Sequence, residues 1–582
     1  MFNFSSFPRA AAGARTLLAL LLTWRLPAAA QAPAWQSARA VATATAAATN
    51  NYSGVQATAV DAAGNVYLAG VFRNTVALGG TTLTSLGDND IFVAKFNPAS
   101  NQFVWAQRAG GTGNEVVAAL AVSGTSVYVA GHFTGSAAGF GPAILTNAGP
   151  NITADIFVAK LTDAGPTGGF TWAQRAGGTG NDAAAALAVS GTNVYVAGYF
   201  QSSTAGFGPA ALTNAGSNGT GDVFVAKLDD AGPTGDFAWA QRAGGTDNDT
   251  AAALAVSNTS VYVAGCFQGL TASFGSATLT NAGVVSNVFV AKLTEAGNTG
   301  DFVWAQRAGG TNQDGATALA VSGNSVYVAG NFSSSMAGFG PTTLTSAGSF
   351  DVFVAKLDDT GLTGDFIWAQ RAGGTGSDFT RALVVSGTNV YVAGGFVSPM
   401  ASFGPNNLTN AGPNGTADVF VAKLTDAGSM GGFVWAQRAG GTSNDNGGAL
   451  ALNGTSVYVA GGFTSLTAKF GTIILSNINP SPNPNPYVGF LASLTDPTLT
   501  ATAASGPRTP AQLFPNPARR TVVLRLPAGV ALAPLTLTDA LGRAVRHYPA
   551  PKISEASLNM EGLPGGLYLL RGAGPAQRLV VE

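Results

Sequence analysis

Four short pieces decide the fold: A-A-L-A-V-S (Ala185 to Ser190), V-Y-V-A-G-Y-F (Val194 to Phe200), V-F-V-A-K-L (Val223 to Leu228) and F-A-W-A-Q-R-A (Phe237 to Ala243). Each is rich in Val and aromatics and bounded by Gly, Asn, Asp or Pro, the pattern of strands separated by turns. The set recurs along the chain. W-A-Q-R-A-G-G-T begins at Trp105, Trp172, Trp239, Trp304, Trp368 and Trp435, at intervals of 64 to 67 residues. V-Y-x-A-G begins at Val66, Val127, Val194, Val261, Val326, Val390 and Val457. F-V-A-K begins at Phe92, Phe157, Phe224, Phe289, Phe353 and Phe420, and Tyr487-Val488-Gly489-Phe490-Leu491 is a degraded seventh copy. No stretch of the repeat keeps a helical period, which excludes helical solenoids, and a β-helix would repeat at a shorter interval. Four strands per unit of this length match a propeller blade with long loops.

Seven units follow from the count. The seventh, Ala449 to Leu494, has no W-A-Q segment after it, whereas an orphan Trp35-Gln36-Ser37-Ala38-Arg39-Ala40 precedes the first complete unit. The reading is an all-β, seven-bladed β-propeller over residues 31–494, its last blade closed by the N-terminal strand, which leaves no exposed seam. Trp35, Trp105, Trp172, Trp239, Trp304, Trp368 and Trp435 are expected to pack between blades. Burying one Trp removes about 150–250 Å² from water, roughly 4–6 kcal/mol gross at about 25 cal/mol/Å².

Charge is sparse and organised by the repeat. The 582 residues carry 28 basic and 29 acidic side chains, a net of −1, which provides no electrostatic footprint for nucleic acid or an anionic membrane. A hydrophobic share of 46% argues against disorder, and Cys266, the single Cys, can form no internal disulfide. With His132 and His547 the only histidines, a Ser-His-Asp triad or a multi-His metal site is excluded from the repeat. Acids recur: Glu115, Asp182, Asp249, Asp314, Asp378 and Asp445 follow the G-G-T turn, and Asp90, Asp155, Asp222, Asp351 and Asp418 precede the third strand, with Asn287 in the fourth unit. Two readings stand. The first series forms an acidic ring at the channel mouth that holds a metal such as Ca²⁺, or the acids cap turns and pair from blade to blade with the repeated Lys (Lys95 to Lys423) and Arg (Arg108 to Arg438). No nucleophile has a base beside it, so no catalytic residue is assigned and no cofactor is expected beyond Ca²⁺.

The ends are different. Arg9 and Arg15, the apolar run Leu17 to Leu22 and the small residues Ala28 to Ala32 read as a signal peptide over 1–30, cleaved after Ala30 or Ala32. Residues 495–510 read as a linker, and 511–582 as a separate set of short strands.

The pieces A-L-A-V, V-Y-V-A-G, D-V-F-V-A-K-L and R-A-G-G, in that order over about residues 35 to 494, resemble the SBBP family of bacterial β-propeller repeats. That resemblance implies a propeller and no particular activity. The last 70 or so residues resemble the type A C-terminal sorting domain of the type IX secretion system of Bacteroidetes. The matching residues are Pro515-Asn516-Pro517, Leu541-Gly542-Arg543, the strand holding Gly566 and Tyr568, and the final Leu579-Val580-Val581. It implies a small β-sandwich, type IX machinery as a partner, and passage through the periplasm to release or to the outer cell surface. The expected function is non-catalytic binding or adhesion, with glycans or cell-surface proteins as partners, by a monomer with no membrane span in its mature form. A purely structural envelope component and an extracellular polymer-degrading enzyme are the competing readings.

Overall fold

The structure is a computed structural model. It describes residues 32–45, then 51–499 apart from 151, 218, 282, 284, 298, 414 and 478–485, and 512–582 apart from 515, 526–533, 540–542, 550–554 and 572–576. The signal-peptide stretch 1–30, most of the 495–510 linker, and Pro515 and Gly542 of the sorting motif lie outside the described residues.

Every regular element described is a β-strand. Each unit pairs four strands antiparallel, in chain order in the first six. In the third unit these are Asp182–Ser190, Asn193–Phe200, Asp222–Asp230 and Gly235–Ala243. The first strands, from Tyr52–Val60 to Asp445–Asn453, each pack against the first strand of the next unit, and the seventh packs against the first. The result is a closed, propeller-like cycle of antiparallel sheets. Its cores are shared between neighbours: one cluster joins Tyr128 and Ile156 of the second unit to Leu187, Phe224 and Phe237 of the third. Alternation along the strands puts one set of side chains into each gap between sheets.

The N-terminal strand Trp35–Val41 pairs antiparallel with Val488–Thr495 and supplies the fourth strand of the seventh unit. Its register departs from the expected one. Trp35 lies opposite Leu494, whereas in the sixth unit Phe433 lies opposite Leu424 and Trp435 opposite Lys423. Trp35 therefore occupies the place of a repeat Phe, and Ser37 the place of the repeat Trp. A β-bulge lies between these two places, so the repeat Phe and Trp face opposite sides of their sheet, Phe433 in one core and Trp435 in the next; Trp35 accordingly packs toward the sixth unit. Trp35 remains 6% exposed, edge-on to Phe470, with its indole N–H donating to Arg438 O at 3.1 Å.

The segments between second and third strands are expected as long loops, but each contains a hairpin, such as Thr204–Phe207 with Ala210–Thr213. Each hairpin pairs with the fourth strand of the preceding unit, as Ala439 with Phe470 and Gly440 with Lys469. Short apolar runs such as T-A-G-F carry only two inward residues, too weak a period to read as strands in isolation. Seven hairpins thus extend the outer edges, that of the first unit through Thr43–Ala44. Their tips need glycine: Gly208 sits at φ +60, with space for a Cβ already taken by Phe237.

The C-terminal strands form two sheets. One orders Gln512–Phe514, Thr521–Arg525 and Glu555–Asn559; the other orders Ala544–Tyr548, Leu535–Asp539, Gly566–Arg571 and Gln577–Val581. Val522, Leu524 and Leu558 of the first share one core with Leu537, Leu570 and Leu579 of the second.

Candidate functional site

The repeated charges fall into two separate devices, one at each end of the strands. At the end where third strands begin, two acids close on one glycine. A Cβ on Gly177, at φ +122, would lie 2.7 Å from Asp182 Oδ2 and 2.8 Å from Asp155 Oδ1. Asp182 accepts from Gly178 N–H at 2.7 Å, Ser202 Oγ at 2.6 Å and Gln201 N–H at 2.9 Å. Asp314, Asp378 and Asp445 repeat this set with Ser334, Ser398 and Ser465. Asp249 and Glu115 accept from Gly245 and Gly111 N–H. The six ring acids are buried, at most 2% exposed, because they replace the hydrogen bonds that the turn backbone would otherwise lack.

The second acid of each pair takes the arginine. Asp155 accepts from Arg175 at 2.9 Å and from Ala148 N–H at 2.7 Å, and Asp90, Asp222, Asp351 and Asp418 do the same with Arg108, Arg242, Arg371 and Arg438. These pairs lie within a unit, not between blades as the sequence suggests, since third and fourth strands are neighbours and put Asp and Arg across one pairing. In the fourth unit Asn287 breaks the pattern, and Arg307 Nη1 is buried with no partner. Two acids in a buried space cannot both ionise freely. Burial, reinforced by Asp90, pushes Glu115 up to about 7; burial does the same to Asp249, to about 7, and to Asp445, to about 6. Among the described residues no three His, Cys, Asp or Glu side chains converge in a metal-holding group.

At the opposite end lies the true inter-unit contact, built on acids that the sequence reading passes over. Asp163 of the second unit accepts from Lys95 Nζ at 2.7 Å, Tyr67 hydroxyl at 2.5 Å and Trp105 Nε1 at 3.0 Å, all from the first. Asp230, Asp359 and Asp426 repeat the grip on Lys160, Lys292 and Lys356. Glu295 takes Lys227 and Tyr195, and Asp496 takes Lys423 and Tyr391. Burial opposes ionisation of Asp496, but Lys423 and Thr498 outweigh it and hold the acid at about 2. The signal was present: an acid stands three residues after each repeated Lys from Lys160 to Lys423, as in K-L-T-D at Lys160.

The tryptophans from Trp105 to Trp435 are 2–4% exposed. Each from Trp105 to Trp368 lies beneath a glycine of the next unit: Gly168, Gly235, Gly300, Gly364 and Gly431 would place a Cβ 2.5–2.7 Å from the ring. Cys266 is half-buried, and burial pushes its thiol up; burial pushes His132 down. On the hairpin side, a cleft of about 230 Å³ opens beside Tyr199, Gln201, Asn248 and Thr250, and one of about 480 Å³ beside Asn407, Gln437, Arg438 and Lys469.

In the C-terminal sheets, Asn516 clamps the last strand, donating to Arg578 O and accepting from Val580 N–H, both at 2.9 Å. Pro517 is exposed beside it. Arg543 pairs with Asp539 at 2.7 Å, Gly566 opens a strand, and Tyr568 donates to Pro564 O at 2.7 Å.

The chain is thus of an all-β, propeller-like class. No protein-family model matches it. The regulatory protein FlaEY of Caulobacter vibrioides is 26% identical over 374 residues, covering 61% of this chain and 36% of that protein. The chain therefore matches little more than a third of that relative's length. Among solved structures, a Lactobacillus plantarum protein has a TM-score of 0.37 at 12% identity, covering 71% of this chain and 91% of that one. Drosophila Semaphorin 2a has a TM-score of 0.33 at 7% identity, covering 94% and 99%. Among the described residues no helix is long and apolar enough to cross a membrane.

Proposed function

We propose that residues 31–494 form a seven-bladed SBBP-type β-propeller, exported behind a signal peptide and directed by a type IX sorting β-sandwich over 511–582. At the cell surface it acts as a non-catalytic binding or adhesion scaffold, with glycans or surface proteins as partners. The observation that carries this reading is the commitment of the repeat's charges to one another and to turn backbone, so that side chains free for recognition concentrate on the hairpins and neighbouring variable positions. The Tyr199 and Asn407 clefts lie there, lined by amides and hydroxyls suited to polar ligands, with Asp249 also at the first and Arg438 and Lys469 at the second. The ring acids serve the turns on this reading, and calorimetric titration with Ca²⁺ should show no saturable heat; a saturable signal would give them a metal.

Glycan arrays probed with the full chain, alongside hydrolysis assays on the bound polymers, test the function. Binding without turnover is expected. Neither binding nor turnover would leave a structural envelope role, and turnover would make the protein an enzyme. Deleting Leu513 to Glu582 should hold the protein in the periplasm; normal surface delivery would overturn the sorting assignment.

A further inference from the structure

The grip of Tyr and Lys on an acid holds at the junctions from the first unit to the seventh, joined by the indole N–H of Trp105, Trp172, Trp304 and Trp368, and its groups are replaced where the seventh meets the first. Ser493 pairs with Tyr458 as Lys423 pairs with Tyr391. Ser37 lies opposite Ser493 as Trp435 lies opposite Lys423. Pro98 follows Phe96 by two residues, as Asp426 follows Leu424. One junction has therefore lost the ammonium, the indole and the carboxylate together, and only the tyrosine remains.

The space is not refilled. Tyr458, Ser493, Ser37 and Pro98 line one cleft of about 330 Å³, together with Arg39 and Phe96. Its walls are firm: Tyr458 is 7% and Phe96 4% exposed. Ser37 Oγ and Ser493 Oγ hydrogen-bond each other at 2.7 Å. The Arg39 guanidinium lies 4.5 Å over the Phe96 ring, and no ion pair forms between Arg39 and any described residue. Cation and phenol hydroxyl share a cleft that contains no carboxylate.

We propose that this seam binds a small carboxylate carried on a planar ring, an aryl acid about the size of indole acetate. The ring fills the volume that an indole occupies at the other junctions. The carboxylate takes the place of the missing Asp, pairing with Arg39 and accepting from the Tyr458 hydroxyl, as Asp359 accepts from Tyr262 at 2.7 Å. The two partners are charge-assisted donors and fix the acid's orientation. The site lies at the strand ends opposite the hairpins, so it is independent of the recognition face proposed above.

Calorimetric titration of the full chain with indole-3-acetate should show one site. Arg39→Gln should weaken binding by about 10-fold or more, the loss of one hydrogen bond to a charged group. Indole-3-ethanol, which lacks the carboxylate, should bind about 10-fold more weakly or worse on the same ground. Ser37→Trp should fill the cleft, abolish binding and raise the melting temperature of the free protein. Absence of heat at millimolar indole-3-acetate, equal affinity for the ethanol analogue, or undiminished binding by Arg39→Gln would each overturn the proposal. Should Ser37→Trp fail to fold, the Arg39 variant and the analogue pair decide.

Discussion

The acid of one unit is the residue on which its neighbour's polar groups converge. Asp359 accepts from Lys292, Tyr262 and Trp304, and both charged side chains are 8% exposed. Removing one partner of a buried pair strands the other charge, so Asp359→Ala should destabilise the protein by about 3–5 kcal/mol, measured by denaturant unfolding. Asp359→Leu with Lys292→Met should recover most of that loss; a double variant as weak as the single one would contradict this account. The paired ring acids have the opposite sense. Glu115 and Asp249, raised to about 7, and Asp445, raised to about 6, bind protons more tightly folded than unfolded. Their contribution is complete below the ordinary carboxylate range near 4 and is lost as pH rises through 6 to 7. The melting temperature should therefore fall between pH 4.5 and 7.5, and a flat or rising profile would remove the assigned shifts. These acids were visible in the sequence as a repeated set, but their partners were not. Arg pairs inside the unit because adjacent strands bring Asp155 and Arg175 together, a neighbourhood that spacing along the chain does not disclose.

Strand identity was legible wherever Val and aromatics alternate over five or more residues, as from Val223 to Leu228. The hairpins were not, because four-residue strands at the rim bury only two side chains each, such as Ala205 and Phe207. The N-terminal strand was found by its Trp, yet placed two residues out, since the bulge that turns the Phe and Trp places to opposite faces leaves no mark in the sequence. Ser37, rather than Trp35, faces the seam, and that single displacement exposes the cleft beside Tyr458. Deleting Trp35 to Ala40 uncovers the edge of Val488–Thr495. The expected result is a markedly lower melting temperature, or association through the bare edge, by calorimetry and size-exclusion chromatography. A monomer of unchanged stability would show that the strand does not close the seventh unit.

At the scale of the whole cycle, each hydrophobic core belongs to two units at once, as Tyr128 and Phe224 share one cluster. No unit can unfold without opening both neighbours' cores, so residues 32–499 should melt in one calorimetric transition whose van't Hoff and calorimetric enthalpies agree. Stepwise melting, unit by unit, would contradict the shared cores. The closed arrangement itself was readable from the count of repeats and the displaced fourth strand. Its seam chemistry was not, because it depends on which residues meet across the closure and not on any one repeat.

The grips all run the same way round, from the Lys of one unit to the acid of the next. Each unit therefore has a donor side and an acceptor side, like a subunit in a head-to-tail ring encoded on a single chain. Such contacts do not depend on which copy supplies them. An opened molecule would offer an unpaired donor side and an unpaired acceptor side to a second opened molecule, and the two could close together into a cycle of doubled circumference. The weakest grip, at the junction of Tyr458 with Pro98, is where that exchange would begin.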